Sequence, residues 1–272
     1  MDELLTKWPA TPEELEALQR GLAERARAAE PWAPGDFTGV AVAAVFVAFP
    51  TGLHGPGAAS DPAWAGAVLW RAGLVVAEAL VRGQAGAPYV AGLLALRCGP
   101  LQERAVRALL QRPDVLLVDA TGRDHPRRAG LALHLGAVLD LPSVGVTNRA
   151  LVADCAGPES QPAPAPAPRP ESQPAPAWEP GPRRGDVAPL VLAGETVGMC
   201  VRVREGGNAL IAHAGWRTSP ETAAGLVLAL TGGRWRTPEP LRRARTLARL
   251  ARARDEGRLS WQREGCEGAG PG

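Results

Sequence analysis

The chain has 272 residues, 46% of them hydrophobic and 21% charged, with a formal net charge of +2. That length suits one large domain or two small ones with a sizeable core. The charge does not by itself announce a nucleic-acid partner, and no apolar run is long enough to cross a membrane. The opening segment, MDELLTKWPATPEELEALQR, is acidic and amphipathic and lacks the basic start and apolar centre of a signal peptide, so a cytoplasmic location is expected. Lys7 is the only lysine among the 30 basic residues, and the Ala/Arg/Pro/Gly excess fits a GC-rich coding bias.

Residues 11–30 predict a helix, with Thr11 as N-cap, Pro12 in the first turn and Glu14 completing a capping box; Leu15, Leu18 and Leu22 line one face. Residues 39–50, 65–71 and 73–81 are apolar, strand-like and joined by short links, which predicts an antiparallel meander. Residues 101–111 fit a helix. VLLVD (115–119) reads as a short buried strand, 126–139 as a helix and 142–146 as a second short strand, a βαβ unit with parallel strands. Strands follow at 189–194, 196–203 and 208–215, then helices at 219–230 and 239–256. A meander followed by a parallel βαβ unit describes an α/β fold with a ribonuclease-H-like mixed β-sheet flanked by helices, although other mixed sheets share that order.

The domain expectation is one unit over residues 1–272, carrying a proline-rich insert at about 155–187 and a flexible tail at about 257–272. PESQPAPA occurs twice in the insert, which holds ten of the 27 prolines. Such a segment is extended and polyproline-II-like and cannot pack a core. It reads as a tolerated loop insertion, with a protein partner for the insert as the alternative. Cys98, Cys155, Cys200 and Cys266 make no CxxC pair and are expected to be free thiols.

The candidate chemistry centres on VLLVDATGRDHPRR (115–128). A buried parallel strand delivers the residue at its C-terminal end, Asp119, to the crevice where ligands bind. Asp124 or His125 is expected to cap a helix starting at Pro126. Arg127 and Arg128 would then lie in its first turn, where the helix dipole disfavours cations unless an anion such as phosphate is expected there.

Residues 115–146, VLLVDATGRDHPRRAGLALHLGAVLDLPSVGV, resemble the central block of the endonuclease V family. PYVAGLLALR (88–97), AGWRTSPETA (214–223) and TPEPLRRA (237–244) are similar to other blocks of that family, in the same order. The resemblance implies a ribonuclease-H-like fold and Mg²⁺-dependent cleavage of DNA or RNA near deoxyinosine or inosine. It places the family's metal-site residues at four positions here. Only Asp119 keeps its carboxylate. Phe46 stands in place of the first-strand Asp, Cys98 in place of the Glu, and Trp216 in place of the nearby His. Asn148 replaces a family lysine.

Phe46 offers no lone pair, Cys98 is a soft ligand unsuited to Mg²⁺, and Trp216 neither ligates nor exchanges protons near neutral pH. Metal binding by Asp119 is therefore expected to be weak at best. The recognition positions persist better. Tyr89 matches the family's helix wedge, and Gly92, Gly122 and His125 match positions forming the pocket for the flipped base. Ala91 and Ala120 depart from the pattern. Gly92, Gly122 and His125 can equally be kept for the turn and the helix cap.

The first reading is therefore an endonuclease V-like nucleic-acid-binding protein impaired in catalysis, a pseudoenzyme. One alternative is an active Mg²⁺-dependent enzyme with a site reorganised around Asp119 and a spare acid among Glu103, Asp124 and Glu221. Another is a non-catalytic scaffold that docks through the insert.

Overall fold

A computed structural model of the chain describes residues 8–156, 179–232 and 234–258. It contains β1 (Val42–Ala48), β2 (Pro62–Arg71), β3 (Leu74–Gln84), β4 (Val115–Val118), β5 (Ser143–Thr147), β6 (Asp154–Cys155), β7 (Val187–Leu192), β8 (Glu195–Val201) and β9 (Leu210–Ala214). The helices are α1 (Pro12–Ala28), α2 (Leu94–Arg107), α3 (Leu131–Leu139), α4 (Pro220–Ala229) and α5 (Glu239–Asp255). The strands form one mixed sheet in the order β3-β2-β1-β4-β5-β9-β8-β7-β6. β1 to β3 are the expected meander, and β4 runs parallel to both β1 and β5. The fold is a mixed α/β sheet flanked by helices, of ribonuclease-H-like type.

The central strands are buried on both faces, as continuous apolar runs require. Ala43, Val45 and Val47 of β1 and Leu116 and Val118 of β4 pack toward α2 and α3. The alternate residues Val42, Ala44, Val115 and Leu117 pack toward Leu241 and Ala244 of α5 and Leu226 of α4. No helix among the described residues is long and apolar enough to cross a membrane.

Three expectations are corrected. α2 starts at Leu94 rather than 101 and runs through Pro100, because Ala95 and Cys98 already belong to the buried face. α3 starts at Leu131 rather than Pro126, with Gly130 as its N-cap. The chain doubles back between them. Arg128 takes a left-handed φ of 59°, Gly130 N–H donates to Gly122 O (2.8 Å), and Ala132 N–H donates to Thr121 O (3.0 Å). Cys155 and Cys200 form a disulfide with Cα atoms 6.3 Å apart, so they are not free thiols, whereas Cys98 is free. Both ends of the proposed insert belong to the folded body. Cys155 lies in β6, and Arg202 donates to Glu179 Oε2, Pro180 O and Gly181 O at 3.0, 2.7 and 2.9 Å. The paired repeats and the tail from residue 259 on, including Cys266, lie outside the described residues.

Candidate functional site

Asp119 follows β4 directly. The parallel register pairs Val45 with Val118, so Phe46 lies one step further along, beside Asp119. Across β2, Phe46 pairs with Gly66. A Cβ on Gly66 would meet Ala244 O at 2.7 Å and Ala248 N at 3.0 Å, so only glycine lets α5 lie this close to the sheet. The next residue of that helix, Arg245, reaches Asp119. Its Nε donates to Oδ2 at 2.9 Å and its Nη2 lies 2.8 Å from Oδ1, a two-pronged ion pair. Nη1 donates to Thr237 Oγ1 at 3.1 Å. The guanidinium groups of Arg245 and Arg249 lie 5.8 and 5.4 Å from the centre of the Phe46 ring, within cation–π range.

Cys98, on α2, is buried, and burial pushes its thiol up to about 12; the positive charge of Arg97 opposes this and the negative charge of Asp119 adds to it. It is a protonated thiol at neutral pH, neither a thiolate ligand nor a nucleophile. Trp216 packs with Leu22, Ala26, Ala129, Leu133 and Ala137 between α1 and α3, where it extends the core.

Glu103 and Asp124, two of the spare acids, are engaged elsewhere. Glu103 accepts from Trp8 Nε1 at 2.6 Å and from Arg107 Nε at 2.8 Å. Glu221 is exposed in the first turn of α4. Asp124 is fully buried and caps no helix. It accepts instead from the backbone N–H groups of Leu151, Val152 and Ala153 at 2.7, 2.9 and 2.9 Å. Among the described residues no group of three or more His, Cys, Asp or Glu could hold a metal. Mg²⁺ needs several hard oxygen ligands. One carboxylate with both oxygens engaged by a guanidinium, beside a phenyl ring and a protonated thiol, does not fit that ion.

A second cluster forms around the Gly92 carbonyl. His125 Nδ1 accepts from Arg127 N–H at 3.1 Å, which assigns the proton to Nε2, and Nε2 then donates to Gly92 O at 3.0 Å. Burial lowers the His125 pKa to about 4, so the ring is neutral at pH 7. Arg127 Nη2 (3.1 Å) and Gln19 Nε2 (3.2 Å) also donate to Gly92 O, while Arg127 Nε donates to Gln19 Oε1 (2.6 Å). Arg127 Nη1 lies 3.3 Å from Glu16. Arg128 donates to Leu192 O (2.7 Å) and lies 3.7 Å from Glu195. Neither arginine occupies a helix's first turn. Both are tied to protein groups. Gly122 packs so tightly against β9 that a Cβ would collide with the Ala214 carbonyl, a structural need for glycine.

The Gly92 clamp holds one end of the loop that presents Tyr89, a residue 51% exposed. The other end is also fastened. Tyr89 N–H donates to Pro56 O (2.8 Å), and the buried Arg97 donates to Ala87 O (2.6 Å) and pairs with Asp61 (3.1 Å). The structure thus groups Gly92, His125 and Arg127 in one clamp and Asp119 with Phe46 in another cluster, and it places Trp216 in the α1/α3 core. Sequence reasoning missed Arg245, Arg249 and Gln19. The four-residue spacing of Arg245 and Arg249, one helical turn, was the available signal.

Residues 40–246 match the model of the family described as Endonuclease V. An endonuclease V from Nocardia farcinica is 39% identical over 245 residues, 89% of this chain and 93% of that protein. The crystal structure of the Streptomyces avermitilis endonuclease V superposes with a TM-score of 0.73 at 35% identity, covering 93% of this chain and 96% of that one. The Ciona intestinalis endonuclease V, crystallised with a 24mer DNA containing an inosine followed by a ribo-adenosine, shares the fold, with a TM-score of 0.65 at 19% identity and coverage of 89% and 98%.

Proposed function

Because the chain belongs to the endonuclease V family, we propose that it binds inosine-containing nucleic acid, foremost deoxyinosine in DNA, without metal-dependent cleavage of the strand. The observation that carries this reading is the Asp119–Arg245 pair. A metal-dependent phosphodiester hydrolase needs a divalent ion to activate water and to stabilise charge at phosphorus. Here the single carboxylate available to that ion is neutralised by a guanidinium, and the neighbouring positions hold Phe46 and Cys98.

Recognition is supported by Tyr89, exposed on a loop fastened at both ends, because an aromatic held in place loses little freedom on inserting into a base stack. Gly92 and His125 shape the backbone beside it. Their own hydrogen bonds are internal, so they act by positioning that loop.

The test pairs binding with cleavage. Labelled duplexes with and without deoxyinosine, and an inosine RNA, are titrated with the full chain and then incubated with Mg²⁺ or Mn²⁺. The expected result is preferential retention of an inosine strand with no nick. Metal-dependent nicking that Asp119→Ala abolishes overturns the loss of catalysis. Equal affinity for every strand overturns the recognition.

A further inference from the structure

We propose that the position of the family's metal centre has become a metal-independent phosphate clamp, in which Arg245 and Arg249 hold one phosphodiester of the bound strand beside the Phe46 ring. The inference rests on the nucleic-acid reading above and assigns it a contact.

A carboxylate-lined metal site repels phosphate until the ion arrives, because the ion supplies the positive charge. Here the balance is inverted. Arg245 and Arg249 flank Phe46. Arg236 is close enough that the charge of Arg245, after burial, lowers its pKa. Two guanidinium groups, Arg245 and Arg249, thus lie at the Phe46 ring, and the one carboxylate of Asp119 pairs with the first of them, so the second cation is left unbalanced there without any metal.

The groups also have donors to spare. Arg245 uses Nε and Nη2 on Asp119 and Nη1 on Thr237, which leaves two of its five N–H bonds for another acceptor. Arg249 is exposed, and among the described residues it has no carboxylate partner, only the Phe46 ring. Asp119 therefore positions Arg245 instead of holding a metal. Phe46 gives the two cations an apolar face, and guanidinium groups beside an aromatic ring recur where proteins track single strands.

Fluorescence anisotropy of a labelled inosine-containing strand tests this, with wild type, Arg249→Ala and Tyr89→Ala compared over a salt series in EDTA and in Mg²⁺. Expected are wild-type binding in EDTA at least as tight as in Mg²⁺, a loss of about three- to tenfold for Arg249→Ala, and a fall of about one in the slope of log affinity against log salt. Tyr89→Ala lowers the inosine preference and keeps the slope. Arg249 is exposed, so its truncation spares the fold; an unchanged melting curve confirms this.

If the wild type binds no strand, the clamp and the recognition reading fall together. If it binds with inosine preference but Arg249→Ala changes neither affinity nor slope, the clamp alone falls. Binding that requires Mg²⁺ overturns the clamp as well. Displacement of the strand by stoichiometric inorganic phosphate at constant ionic strength would assign the site to free phosphate, overturning the phosphodiester.

Discussion

Asp119 and Arg245, 126 residues apart in sequence, meet in a two-pronged ion pair whose side chains are 20% and 19% exposed. The pair joins the end of the central strand β4 to the last described helix. Partial burial makes its members interdependent. Asp119→Ala strands a guanidinium beside Phe46 and is expected to cost about 1–3 kcal/mol, because removing one partner leaves the other poorly solvated. Arg245→Met strands the carboxylate at a similar cost. Removing both is expected to cost less than the sum, with a coupling energy of about 1–2 kcal/mol. Urea unfolding of the four proteins measures it, and strictly additive losses would sink the account.

The places of Phe46 and Asp119 were legible in the sequence because each lies in an apolar run whose strand character and order along the chain fix it, whereas Cys98 lies ahead of the helix expected over 101–111. The place of Arg245 was not legible. An Arg-rich helix does not say which of its guanidinium groups points inward; that follows from the approach of α5 to Gly66, which depends on β2 pairing with β1. The Asp124-His125-Pro126 run looked like a helix start because capping signals are local. The competing use of Asp124, holding the backbone of residues 151–153, is a tertiary choice. The Cys155–Cys200 pairing spans 45 residues across the repeat segment, and no spacing rule announces it.

The loop that presents Tyr89 depends on Gly92, which has a φ of +81°. Gly92→Ala places a Cβ in the left-handed region and 3.4 Å from both His125 Nε2 and Arg127 Nη2. The backbone cost is about 1–2 kcal/mol. Thermal unfolding should show that loss, and a larger proportional drop is expected in the affinity for an inosine-containing strand, because the wedge loses its anchor. Unchanged melting together with unchanged affinity would show that the clamp does not position Tyr89.

The disulfide closes a loop with a sequence separation of 45, joining β6 to β8 around the repeat segment. Restricting such a loop in the unfolded chain stabilises the fold by up to about 4 kcal/mol. Cys155→Ser should therefore lower the urea midpoint in oxidising buffer and bring it level with that of the wild type in reductant. Identical wild-type midpoints with and without reductant would contradict the bond's role.

Acid should destabilise the protein before its carboxylates protonate. Burial lowers the pKa of His125 to about 4, of His134 to about 3 and of His213 to about 4, against an ordinary value of 6.5. For His125 the hydrogen bond to Gly92 O opposes the shift, and for His213 the charge of Asp124 does. In the unfolded chain these rings take up protons as pH falls through 6.5, while in the fold they stay neutral down to about 4. The unfolded state therefore binds more protons in that window, and stability rises with pH across it. The stabilisation is fully present above pH 6.5 and is lost as pH falls toward 4. Each histidine contributes at most about 1.4 kcal/mol per pH unit. The Asp255 carboxyl, held down to about 2 by Arg82 and then Trp64, loses its contribution only at lower pH and does not confuse the window. Urea midpoints measured between pH 7 and 4.5 should fall steadily. His134 packs against Trp8 with ring centres 4.3 Å apart and the planes tilted by 35°, and neither of its ring nitrogens has a hydrogen-bond partner. His134→Leu should therefore flatten the decline by roughly one histidine's share. A midpoint that stays constant from pH 7 to 5 would show that these three rings are not held neutral by the fold.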